Sequence, residues 1–123
     1  MEIVLLIIVL IAIVVLGILI SRQKPSNELV EWLKNTGNVA EYEQLSVGLK
    51  LLSSIQPHVL AHIGVPAGTN RSVIDSSYTF SLLMIFNTSD DEAKYQSHPT
   101  HDSFRKNYSH LWSKVVVYDS IDG

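Results

Sequence analysis

The ten residues Tyr95-Gln96-Ser97-His98-Pro99-Thr100-His101-Asp102-Ser103-Phe104 put three ionisable rings, a proline and an acid into one short stretch. Pro99 cannot continue a helix arriving from the N-terminal side, yet it suits the first turn of a new one. His98 therefore falls at a break and His101 in the first turn beyond it. The positive end of a helix disfavours a second positive charge, so His101 is expected to be neutral, with a nitrogen free to accept a proton. His98 is expected to hold the break by hydrogen bonding to the backbone.

The flanking sequence supplies the elements around this break. Asn87 to Asp91 turns the chain, and Ser89 is placed to cap a helix whose first turn holds Asp90, Asp91 and Glu92. Beyond Pro99 the helix resumes to about Trp112, and Val115 to Tyr118 forms a short, buried-looking strand. Upstream, Tyr78 to Phe86 (YTFSLLMIF) is the strongest strand signal, and His58 to Val65 also reads as a strand. Between them lies a loop, Pro66 to Ser77, rich in Gly, Thr, Asn and Ser. Tyr42, Leu45, Leu49 and Leu52 recur every three to four residues behind Asn38, predicting an amphipathic helix over 39–55 with an asparagine cap. Glu28 to Lys34 fits strand or helix by periodicity alone, and Asn35-Thr-Gly-Asn ends it as a turn.

Taking that first run as a strand gives β-α-β-β-α-β, an α+β ferredoxin-like protomer with both helices on one face of a four-stranded sheet. The other face would then lie open. Along 78–86 one side carries Tyr78, Phe80, Leu82, Met84 and Phe86, the other Thr79, Ser81, Leu83 and Ile85. Two helices cover only one of these, so a second copy of the chain is expected on the other, enclosing a cavity suited to a small molecule. The expected lining of that cavity is Glu28, Val30, Trp32, Phe80, Leu82, Met84 and Trp112, with Tyr95 and His101 as the reactive pair.

Hydrophobic content reaches 46% of 123 residues, but the excess is local. Ile3 to Ile20 is unbroken Ile, Val, Leu, Ala and Gly17, long enough at about 1.5 Å per residue to span a hydrocarbon core of roughly 30 Å. Residues 1–20 are thus expected to be a single transmembrane helix, 21–26 (SRQKPS) a linker, and 27–120 the folded domain. A cleaved signal peptide fits less well, because Glu2 replaces the usual basic start, the apolar core is long and Leu19-Ile20-Ser21 is a poor cleavage site. Arg22 and Lys24 follow the span, which places the C-terminal domain in the cytoplasm. The domain without residues 1–20 holds nine basic and eleven acidic residues, so no nucleic-acid partner is expected. There is no cysteine, which excludes disulfides and thiol catalysis. No metal or other cofactor is expected: Pro99 separates His98 from His101, and His58 and His62 lie roughly 13 Å apart along a strand. Gly64 to Gly68 lacks the spacing of a phosphate-binding loop.

Taken together, Tyr95 to His101 with Phe104, LWSKVVVYDS (111–120), WLKN (32–35), GLKLL (48–52), HIGVPA (62–67) and SSYTFSLLMIF (76–86) resemble the stress-responsive dimeric A/B barrel family, in order and across residues 27–120. The resemblance implies a ferredoxin-like protomer pairing into a dimeric α+β barrel, with a stress-related role. One plant branch consists of polyketide cyclases in which a Tyr and a His of this motif carry out an aldol condensation. By that likeness His101 would be a general base and Tyr95 would bind the developing oxyanion. Family members place a cavity histidine at the start of the first strand, where this sequence is read to have Glu28. The cyclases add another where Phe80 stands. Three functions are therefore expected in turn: a membrane-anchored barrel binding a small, largely apolar molecule, a cyclase or isomerase of carbonyl compounds, and a ligand-free dimerisation module.

Overall fold

The computed structural model describes residues 2–21 and 24–123, with the side chains of 16–21 outside that description. Helix α1 (Glu2–Ser21) precedes β1 (Pro25–Leu33), α2 (Val39–Ser53), β2 (Leu60–Gly64), β3 (Phe80–Ile85), α3 (Ser89–Ser97), α4 (Pro99–Tyr108), a 3-10 turn (Ser109–Leu111) and β4 (Trp112–Ile121). The strands form one antiparallel sheet in the order β2-β3-β1-β4, as β-α-β-β-α-β connectivity requires. Among the described residues no helix is long and apolar enough to cross a membrane. The apolar run is described with its side chains only as far as Val15, and the expected span through Leu16–Ile20 lies partly outside.

Several boundaries differ from expectation. The first strand opens inside the expected linker, at Pro25, whose carbonyl accepts from the Phe86 amide at 3.0 Å. A proline is tolerated as a strand's first residue because its missing N–H leaves no ladder bond broken. The last strand runs well beyond Val115–Tyr118 because β1 offers it a continuous partner from Pro25 to Leu33, with a bulge at Trp32/Leu33. Much of it is exposed rather than buried, for it is an edge strand with one neighbour. Thr88 rather than Ser89 caps α3, its hydroxyl accepting from the Asp91 amide at 3.1 Å.

Alternation along the strands decides which face the helices cover. Asn27, Leu29, Glu31 and Leu33 of β1 point to them, as do Phe80, Leu82 and Met84 of β3. The core forms where these meet Leu45, Leu49 and Leu52 of α2, Tyr95 of α3 and Phe104 of α4. Asn38 caps α2 as expected, accepting from the Glu41 amide at 3.1 Å. Gly48 is where α2 meets α4: a Cβ there would stand 2.8 Å from ring carbons of Tyr108. Ser26, Glu28, Val30 and Trp32 face the other way, level with Ser81, Leu83 and Ile85.

Candidate functional site

Pro99 divides the final helical segment as its chemistry requires. The peptide of His98 is extended, at φ −65° and ψ 140°, ending α3 and opening α4. Its Nδ1 accepts the Thr100 amide at 3.0 Å, so His98 is the N-cap of α4 and its ring is committed to structure. The break tilts α4 so that His101, in its first turn, faces the sheet beside Tyr95. Their rings meet edge to face with centroids 5.0 Å apart. Phe86 backs the tyrosine from the end of β3, 5.3 Å away.

A cavity of about 230 Å³ opens between α3, α4 and the β1/β4 half of the sheet. Leu29, Phe104, Trp112, Val115 and Val117 give it apolar walls, and Asn27, Gln96, His101 and Arg105 contribute polar groups. Trp112 stacks on Phe104, centroids 5.6 Å apart, and Asn27 is held by donating to Asp119 at 2.6 Å. A larger depression, about 430 Å³, lies on the outer surface of α2 around Ala40, Glu43 and Val47. It is shallow and lies away from Tyr95 and His101, so the smaller cavity is the candidate site.

Past His101 the interior holds an uncommon group of polar atoms. Both carboxyl oxygens of Glu31, the Tyr95 hydroxyl and the His101 Nδ1 are buried and have no hydrogen-bond partner among the described residues. Glu31 has no exposed surface at all, and in the ladder it stands opposite Val115 of the cavity wall. Desolvation by burial pushes its pKa up to about 8, which keeps it a neutral acid at pH 7. Burial also raises the Tyr95 phenol, and the nearby Glu31 and Glu92 carboxyls raise it further. His101 is lowered first by burial and then by the Arg105 guanidinium, against an opposing effect of Asp102. Desolvation is thus the first cause of its neutrality.

The expected lining does not assemble on one face. Phe80, Leu82 and Met84 are buried beneath the helices, whereas Glu28, Val30 and Trp32 are on the opposite side of the sheet. Glu28 pairs there with Leu83 and Tyr118, and Trp32 donates to Ser77 Oγ at 2.9 Å while the Lys114 ammonium sits 4.6 Å from its ring centroid. His101 and Trp112 line the cavity, joined there by Asn27 and Leu29; Tyr95 packs against His101 behind that lining, and Glu31 is buried near Tyr95. The available signal was parity: Glu31 falls between Leu29 and Leu33 at spacing two, an acid on an otherwise apolar face. Among the described residues no cluster of histidine and acid side chains is placed to hold a metal ion.

The split β-α-β sheet with its helices on one face defines a ferredoxin-like α+β protein. The chain belongs to the stress responsive A/B barrel domain family, whose model matches residues 29–122. No curated protein matches it significantly. Among solved structures it is similar to a Dabb family protein with a ferredoxin-like fold from Mesorhizobium loti, at TM-score 0.68 and 21% identity over 82% of this chain and 98% of that one. A hydroxynitrile lyase from Passiflora edulis gives TM-score 0.67 and 17% identity, covering 83% and 95%. A dimeric ferredoxin-like protein of unknown function from Thermobifida fusca gives 0.64 and 18%, covering 80% and 90%. At these identities the likeness is one of fold.

Proposed function

We propose that this protein binds a small, largely apolar molecule bearing a carbonyl group in the cavity beside Tyr95 and His101. The observation that carries the reading is the cavity itself: aromatic and aliphatic walls with His101 among them, backed by Tyr95, whose buried hydroxyl has no partner among the described residues. Buried polar groups are nearly always paired, and an orphaned set beside a cavity is accounted for by a bound partner. Trp112 offers the test, since it lies in the wall while Trp32 is on the opposite face. In a Trp32→Phe background, p-nitrophenol entering the cavity should quench Trp112 fluorescence saturably. Tyr95→Phe with His101→Ala should weaken that binding. Unsaturable, collisional quenching in both would end this reading.

A catalytic reading is favoured by one feature, the neutral His101 with Nδ1 free. That nitrogen could remove a proton from carbon next to the ligand's carbonyl. The C–H electron pair becomes a C=C bond and the carbonyl π pair moves to oxygen, where Tyr95 can donate a hydrogen bond. Where a second C=C bond is conjugated with that enolate, return of the proton to its far carbon shifts the double bond, an isomerisation that consumes nothing. Attack of the carbanion on a second carbonyl would make it an aldol cyclisation. A general base contributes about 10²–10⁴ in rate, so His101→Ala should lose turnover on that scale while ligand binding falls only modestly.

The reading also includes assembly and location. The half-buried face bearing Val30, Leu83 and Ile85 is assigned to a second copy of the chain; the dimeric description of the Thermobifida fusca neighbour supports this. The apolar run 3–20 is assigned to a membrane, with the domain on the cytoplasmic side, on the strength of its composition and of Arg22 and Lys24. Full-length protein that leaves the membrane in alkaline carbonate, or a C-terminal reporter active only outside the cytoplasm, would overturn that assignment.

A further inference from the structure

We propose that Glu31 is a third member of the site, donating a hydrogen bond beside the Tyr95 hydroxyl to the carbonyl oxygen of the ligand. The inference deepens the reading above and rests on it.

Four observations place Glu31 there. It comes from β1, Tyr95 from α3 and His101 from α4, and the Tyr95 and His101 rings meet at a centroid distance of 5.0 Å. All three present buried polar atoms without partners, and no hydrogen bond joins any of them to another. They are therefore not a self-satisfied internal network. The Glu31 carboxyl is near enough to Tyr95 for its charge to act on the phenol. Leu29 and Val115, its neighbours along β1 and across the ladder, both line the cavity.

The chemistry of a ligand that suits them follows from what these groups offer. An ionised Glu31 would be a charge without a counter-ion in an apolar interior, a state such sites avoid by protonation. A neutral carboxyl is a donor, the tyrosine hydroxyl is a donor, and the neutral histidine nitrogen is an acceptor. Two donors and one adjacent acceptor suit a carbonyl oxygen with an acidic C–H beside it. A carboxylic acid kept neutral by its surroundings can serve next to a tyrosine as an oxyanion donor. A cationic ligand fits less well, because Arg105 already stands in the cavity wall. Once His101 takes the proton, imidazolium and enolate form a neutral pair, which an ionised Glu31 would oppose.

The test uses full-length protein in detergent and p-nitrophenol, whose phenolate mimics the developing oxyanion and is read by its own absorbance. The native protein should bind the phenolate in preference to the phenol. Hydrogen bonds to a charged group are worth about 1.5–3 kcal/mol, so Glu31→Leu should weaken phenolate binding tenfold or more. Glu31→Gln, whose amide still donates, should stay within about threefold of the native affinity. Thermal melting of both variants controls for folding. Native-like binding by Glu31→Leu, with Tyr95→Phe weakened, would overturn the role of Glu31 and leave the cavity reading standing. Equal losses in the Gln and Leu variants would overturn the donor assignment. No binding by the native protein would overturn both.

Discussion

Glu31 holds its place at a cost in stability. A buried polar group without a partner destabilises the fold by about 1–3 kcal/mol. Glu31→Leu, which continues the apolar face of Leu29 and Leu33, should therefore raise the melting temperature. The pH dependence has a definite sign. Because the folded-state pKa of Glu31 lies near 8, above its ordinary value of 4.5, the native state holds the proton through that interval. Stability linked to Glu31 is fully present below about pH 4.5 and is lost as pH rises through 8. His101 acts oppositely, but only below its ordinary 6.5. Tyr95 and Glu92 of α3 and Arg105 of α4 also face this region. Denaturant melts between pH 6.5 and 8.5 should show native stability falling and Glu31→Leu nearly flat. Parallel slopes would mean that Glu31 is ionised throughout.

At the level of elements, the stretch around Pro99 was legible because its signals are local. A proline forces a break wherever it stands, and the cap by His98 and the inward turn of His101 follow from it. The cap of the helix from Val39 and the order of the elements were legible for similar reasons. The cap of α3 was missed by one residue because Thr88 and Ser89 are adjacent and chemically equivalent as caps. Phe80, Leu82 and Met84 were grouped with Glu28, Val30 and Trp32 because alternation reveals two faces without saying which one the helices take. That choice depends on pairing across the sheet, which no single strand encodes. Packing of α2 on α4 was equally invisible. Gly48→Ala should gain up to about 1 kcal/mol of helix propensity, yet its methyl would press on the Tyr108 ring, and overpacking costs typically 1–3 kcal/mol. A lowered urea midpoint is expected; a raised one would show that Tyr108 yields freely.

For the whole molecule, the open side of the sheet is the feature that assembly must explain. Leu83 lies near its middle, paired with Glu28 and His62. Leu83→Asp would place a charge in a covered interface and should convert dimers to monomers in sedimentation measurements on full-length protein in detergent. Dimers that persist unchanged would place the contact elsewhere.

The residues of this chain that line the cavity come from β1, β4, α3 and α4, on the far side of the sheet from that face. Occupancy is therefore expected to be independent of assembly. Each chain should titrate with one equivalent of p-nitrophenol along a simple hyperbola, and the dissociated Leu83→Asp protein should follow the same curve. Sigmoidal saturation, or affinity that changes with protein concentration, would reveal a message passing through the sheet.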